Sequence, residues 1–371
     1  VVSAQWASRP DDQRFLNLGD LHAQVSQWAA ESTTREVMPA KIVANGSEEG
    51  DQTALTIDCD GVVLDPTHFA FGQLCGLIGA PAEYLRRLSA PMAAMNINYG
   101  LQAAKQTPKS AYQWKNGGHH LRALTSTQYG RILDRSVVEA VQQIAGNGDG
   151  KDGFRWKVPG LIDWATSSYN PNVDVTKETT TLYASDRDVF MFLVDDRHPI
   201  SIGKLPSGDD DLVFRGFYTW NSEVGNRKFG IATFYLRGVC ANRCLWGVEG
   251  FSELTFAHRS GAPERFAEEV TPALLSYAEM DTVKLLTGVK QAKAKVVAKT
   301  DEERVEFLAR HQFSENQAKA LIILGELEEG HPPASVWDFA QCITAQARSV
   351  AYQDRRIHLE RVAGKLLDKV A

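Results

Sequence analysis

Leu212-Val213-Phe214-Arg215-Gly216-Phe217-Tyr218-Thr219 and Phe229-Gly230-Ile231-Ala232-Thr233-Phe234-Tyr235-Leu236-Arg237-Gly238-Val239 are two runs of β-branched, aromatic and other apolar residues. Each has strand length, and the polar turn Asn221-Ser222-Glu223-Val224-Gly225 lies between them. Side chains alternate between the two faces of a strand, so Arg215, Phe217 and Thr219 share one face of the first run, and Tyr235 and Arg237 share one face of the second. Working outward, residues 179–184, 189–194 and 251–256 have the same character, and turn-rich segments such as Asp186-Arg187-Asp188 and Pro206-Ser207-Gly208-Asp209 separate the runs. Strands that follow one another so closely predict a mainly antiparallel sheet. Residues 263–296 predict one long helix laid on a face of it, with Arg215 or Arg237 on the other, which makes the fold class α+β.

On the amino-terminal side the pattern is mixed. Leu18, Leu21, Val25 and Trp28 line one face of a helix over 18–30; 37–44 and 54–64 read as a hairpin around 45–50; 69–78 and 82–88 read as short helices, the second opened by Pro81. A strand over 120–124 and an amphipathic helix over 131–144 follow. Gly148, Gly150 and Gly153 match a dinucleotide-binding glycine spacing, but they follow a helix and precede a strand, the reverse of what that fingerprint requires. A calcium loop also fails, because Lys151 occupies a ligand position and Val158 stands where a closing Glu is needed. The stretch predicts a flexible linker. Beyond 297 the chain predicts helices over 301–310, 315–329, 334–347 and 354–370, with Pro332-Pro333 as a break. Three regions follow from this: 1–150 mixed, 151–296 sheet plus long helix, 297–371 helical.

The 371 residues, 43% hydrophobic and 23% charged, suit a globular chain with more than one core. No stretch approaches the roughly 18 consecutive apolar residues of a membrane helix, and the start lacks a signal-peptide layout, so a cytoplasmic protein without membrane contact is expected. Cys59, Cys75, Cys240, Cys244 and Cys342 are odd in number and scattered, which predicts free thiols. A net charge of −6 argues against coating nucleic acid with the whole surface. One basic patch stands out: 282–300 hold Lys284, Lys290, Lys293, Lys295 and Lys299 with no acid, and Asp301-Glu302-Glu303 follow at once.

The segment 215–225, its continuation 232–242 and His258 together resemble the phage/plasmid-like domain-of-unknown-function family catalogued as nine-three-two. Residues 6–15, 121–129 and 336–340 support the likeness, which spans most of the chain. Cys244 departs from it, since an apolar or small residue is expected there. The resemblance implies a setting, replication, recombination or defence on mobile DNA, and no chemistry.

Cations interleaved with aromatics on strands are how single-stranded nucleic acid is held, by phosphate neutralisation and base stacking. Arg215, Phe217, Asn221, Arg227, Lys228, Tyr235, Arg237 and Arg243, with Lys290 and Lys293 of the basic helix, are the candidate binding set. Equally open is a reading in which Phe217, Tyr235 and Trp246 are core aromatics and the basic residues a solvated rim. Cys240, Cys244 and His258 offer three zinc ligands without a fourth, so no metal is expected. Glu223, Asp209-Asp210-Asp211, Asp186 and Asp188 are the carboxylates a metal-dependent nuclease would need, but no acid-acid-lysine spacing joins them. Ser185 and Ser222 sit in no nucleophile elbow, and no phosphate-binding glycine loop exists. The sequence therefore favours a mobile-element DNA-metabolism protein without catalysis or cofactor, binding single-stranded DNA, promoting annealing and forming a homo-oligomer. A host-interaction or anti-defence protein acting through protein contacts is the alternative, and a nuclease the second.

Overall fold

The computed structural model describes residues 9–49, 52–115, 117–159, 161–163, 168–170, 174–205, 208–237, 243–244, 253–350 and 353–369. The first region contains β1 (Arg14–Phe15), α1 (Leu18–Ala30), β2 (Ser32–Val37), β3 (Ile42–Glu49), β4 (Gln52–Cys59), β5 (Val63–Pro66), α2 (His68–Leu77), α3 (Ala82–Leu85), α4 (Ala90–Ala103), β6 (Lys109–Trp114), β7 (His120–Ser126) and α5 (Asp134–Ala145). Strands then dominate: β8 (Leu161–Asp163), β9 (Ser168–Asn170), β10 (Leu182–Ala184), β11 (Val189–Lys204), β12 (Asp210–Asn221), β13 (Phe229–Arg237), β14 (Arg243–Cys244) and β15 (Glu253–Phe256). Helices complete the chain: α6 (Ala262–Glu279), α7 (Val283–Ala294), α8 (Asp301–Ala309), α9 (Glu315–Glu329), α10 (Val336–Ser349) and α11 (Gln353–Asp368). The fold is α+β, as the sequence pattern predicts.

The central sheet is seven-stranded, in the order β1-β10-β11-β12-β13-β14 with β15 also on β13. Every pairing in it is antiparallel. One face packs Met191, Leu193, Phe217 and Ile231 against α1, α5 and α6 through Leu18, Val141, Phe266 and Leu274. The opposite face carries a ladder of aromatics, with Phe192 and Phe234 stacked at 4.9 Å and Tyr218 beside both Phe190 and Trp220. A second, six-stranded sheet, β2-β6-β7-β5-β4-β3, is antiparallel except where β5 runs parallel to β7, and α2 and α4 cover one face. Gly46 lets β3 lie against the start of α4: a Cβ there would sit 2.2 Å from the Ala90 carbonyl oxygen. The carboxy-terminal helices share a third core with α7 and with Ile200, Val213 and Tyr235 of the central sheet.

Three expectations need correction. Residues 263–296 form two helices, because the chain turns extended at Met280 and the Asp281 side chain accepts from Val283 N at 2.6 Å to start α7. That break lets α6 cover the sheet while α7 turns Leu285 and Val289 toward the carboxy-terminal helices. Residues 146–153 are no flexible linker: Asn147 accepts from Leu18 N at 3.1 Å and, through its side chain, from Gly19 N at 2.9 Å, fastening the start of α1. The core beneath the central sheet accordingly draws on both sides of residue 150. Lastly, β3 and β4 pair out to Glu49 and Gln52, so 45–49 lie in strand rather than in a turn.

Candidate functional site

The turn after β12, which the sequence suggests could line a groove, is buried between the two sheets. Asn221, Ser222, Glu223 and Val224 are all inaccessible, and only Gly225, at φ +89°, reaches solvent. Its backbone requires the left-handed region that glycine adopts without strain. Gln73 of α2 ties this turn to the second sheet, donating to Val224 O at 2.8 Å and accepting from Leu124 N at 2.8 Å.

Glu223 is the centre of the arrangement. Its Oε2 accepts from Arg122 Nη1 of β7 at 2.5 Å and from the Tyr112 hydroxyl of β6 at 3.0 Å. Oε1 accepts from Asp134 N at 2.8 Å, the first amide of α5. That helix has no side-chain cap of its own, so a carboxylate from a distant turn satisfies one of its orphan donors and meets its positive end. The Glu223 carbonyl accepts from Arg131, whose guanidinium lies 3.8 Å over the Tyr112 ring. Asn221 donates to Asp134 Oδ1 at 2.7 Å and to Ile132 O at 2.8 Å.

The electrostatics follow from burial. Arg122 and Glu223 have side-chain exposures of 1% and 2%, and Asp134 Oδ2 stands 3.9 Å from Arg122 Nη2 without hydrogen-bond contact. Burial, and then the neighbouring Glu223 charge, push the Asp134 carboxyl well above the usual carboxylate range, more than Arg122 lowers it. Burial and Glu223 likewise push the Tyr112 hydroxyl up to about 12. A proton on Asp134 would relieve the repulsion between two carboxylates served by one guanidinium. The open cavity nearby, of about 400 Å³ between α5 and α6, is lined by Arg131, Ile132 and Leu133 but by neither carboxylate. The cluster has the chemistry of a closed joint, with neither carboxylate lining that cavity.

A second joint lies at the other end of β12. Arg237 grips Asp211 with two bonds, 2.8 and 3.0 Å, and Glu329 of α9 with one of 2.6 Å. Lys293 adds a 3.5 Å pair to Asp211, and both cations lie over the Trp337 ring of α10.

The predicted nucleic-acid set is therefore largely internal, a correction to the groove expectation. Arg215, Phe217, Tyr235 and Arg237 do share a face, but it is the one the helices cover. Arg215 donates to Met280 O at the α6–α7 break, and Phe217 packs edge-on against Trp156 at 4.9 Å. Asn221 is in the first joint and Lys293 in the second. Arg227 is mostly buried, 3.6 Å from Asp188. Lys228 and Lys290 are exposed. Arg243 is placed only as strand, and Cys240 and Trp246 lie outside the described residues. His258 donates from Nδ1 to Gly130 O at 3.0 Å and stacks on Tyr129, while burial lowers its proton affinity. Asp188 is held by Arg9 and Ser185, Asp210 by Lys204, and Asp186 by Arg187. Among the described residues no three His, Cys, Asp or Glu side chains group as a metal site. Cys59, Cys75 and Cys342 are buried free thiols, and burial pushes Cys59 up to about 11 and Cys342 up to about 12.

Sequence reading missed Arg122, Asp134 and Tyr112. The available signal was Arg122 itself, a cation set between Leu121 and Ala123-Leu124 in a strand. Around the same turn Arg9 pairs with Asp188 at 2.6 Å, and Tyr129 donates to Ser222 O at 2.9 Å and stacks on His258. What the fold and site define is an α+β protein with two large sheets, whose parts are closed on one another by buried ion pairs. No protein-family model matches the sequence, and no curated protein or solved structure matches it. Among the described residues no helix is long and apolar enough to cross a membrane.

Proposed function

We propose that the chain is a non-catalytic binding protein of a phage- or plasmid-borne system, acting in the cytoplasm through protein contacts. The observation that carries this is the exchange of surfaces. Most of the cation–aromatic set is buried and paired, whereas solvent meets apolar side chains: Met92, Met95 and Tyr99 along α4, and Ile323 and Leu327 along α9, at exposures of 52 to 79%. Exposed apolar stripes of this kind mark interaction surfaces more often than nucleic-acid grooves. The mobile-element setting rests on the family resemblance, and the compartment on the free thiols.

Single-stranded DNA binding, with annealing, remains the second reading because Lys284, Lys290, Lys295 and Lys299 are exposed on and after α7 without an acid among them. Fluorescence anisotropy with a labelled single strand and its duplex, at two salt concentrations, separates the two. Protein contacts as the main function predict binding no tighter than about 100 μM at physiological salt. Micromolar affinity that falls steeply with salt would overturn the first reading in favour of the second.

A further inference from the structure

Between α8 and α9 runs an apolar groove of about 660 Å³. Val305, Ile322 and Ile323 supply its apolar lining, and Asp301, Glu302, Glu306, Glu315, Lys319 and Glu326 its charged lining, five acids to one cation. Glu306 is engaged by Arg310 and Lys319 by Glu315, but Glu302 and Glu326 have no cation beside them among the described residues. A groove with this lining suits an amphipathic helix with a basic flank.

The same chain presents such a helix. On α7, Leu285, Val289 and Ala292 are buried, while Val283 and Leu286 lie open at 62 and 37% exposure, in line with exposed Lys290 at spacings of three and four. Exposed Lys284 flanks that stripe. Over its twelve residues α7 is about 18 Å long, and the fifteen residues of α9 span about 22 Å, so the two match in length.

We propose that the α8–α9 groove of one copy receives α7 of a second copy, with Val283 and Leu286 on the apolar lining and Lys284 and Lys290 against the glutamates. This deepens the protein-contact reading and rests on it. Groove and helix are different surfaces of the chain, so every copy offers one of each, and the contact closes a ring, of which a reciprocal two-fold dimer is the smallest, or runs on as a filament. Few apolar side chains and a charged lining make it weak and salt-sensitive.

Light scattering coupled to gel filtration tests this on the full chain with K284E/K290E, E302K/E326K and their mixture, each variant first checked for an unchanged melting temperature. Wild type is expected to assemble at low salt and to dissociate as salt rises. Each variant alone is expected to be monomeric. Mixed, they should assemble as wild type does, since the intact helix of E302K/E326K fits the intact groove of K284E/K290E and the two reversed surfaces complement each other in charge. Assembly of either variant like wild type, a mixture that stays monomeric, or a wild type monomeric at low salt overturns the docking. If, in addition, K284E/K290E abolishes salt-sensitive binding to a single-stranded oligonucleotide, the protein-contact reading falls as well. Wild type that is monomeric and indifferent to DNA sinks the docking alone.

Discussion

The two ends of β12 carry the same device in different surroundings. At the Glu223 end, Arg122, Glu223 and Asp134 are closed off from water between two sheets. At the Asp211 end, Arg237 is 8% exposed, Glu329 18% and Lys293 35%, between the sheet and the carboxy-terminal helices. Asp211 is as buried as the first joint, but water can reach Glu329 and Lys293 when a partner is lost, which it cannot at the first. Buried ion pairs add little net stability over an apolar replacement, yet losing one partner strands a charge. The difference teaches that the first joint enforces one arrangement of its parts, and the second tolerates adjustment.

Glu223→Ala attacks the drier joint and leaves Arg122 without its hydrogen-bonded carboxylate, with Asp134 at 3.9 Å, and α5 without its external cap. Urea unfolding is expected to show a loss of about 3–5 kcal/mol. Arg237→Met should cost less, about 2–3 kcal/mol, because Lys293 still pairs with Asp211 and Glu329 can recover some hydration. Equal losses would erase the distinction between the two ends.

A smaller effect concerns pH. The folded chain holds the Asp134 proton more tightly than the unfolded chain does, because burial and Glu223 raise it. Its contribution is therefore fully present below the ordinary carboxylate range and is lost as pH rises through the raised value. For one proton the slope is at most about 1.4 kcal/mol per pH unit. Asp134→Asn should remove that slope and, at neutral pH, match or exceed wild type in unfolding experiments across the range. A steeper decline in the variant would contradict this.

How much of this was legible varies by element. The bounds of α1 and α9 follow directly from apolar spacing and from the caps Asn17 and Ser314. The meander of β10 to β13 follows from alternating runs. By contrast α4 shows Met92, Met95 and Tyr99 outward and Ile97 and Leu101 inward, so it is apolar all round and gives no periodic signal. Edge strand β2 is mostly exposed and polar, which blurs its alternation. Alternation correctly groups Arg215 with Phe217, but period alone does not say which face a later helix covers. The buried polar contacts are less legible still: Arg122 and Glu223 are 101 residues apart and Asn221 and Asp134 are 87 apart, with nothing local to announce them.

The most direct test of the central claim, that a buried ion pair at the end of β12 closes the two sheets on one another, is a double-mutant cycle. Urea unfolding would be measured for Arg122→Met, Glu223→Leu and the double variant. The account predicts that each single change costs about 3–5 kcal/mol and that the double costs far less than their sum, since the apolar pair leaves no stranded charge. Single losses below about 1 kcal/mol that simply add would contradict it.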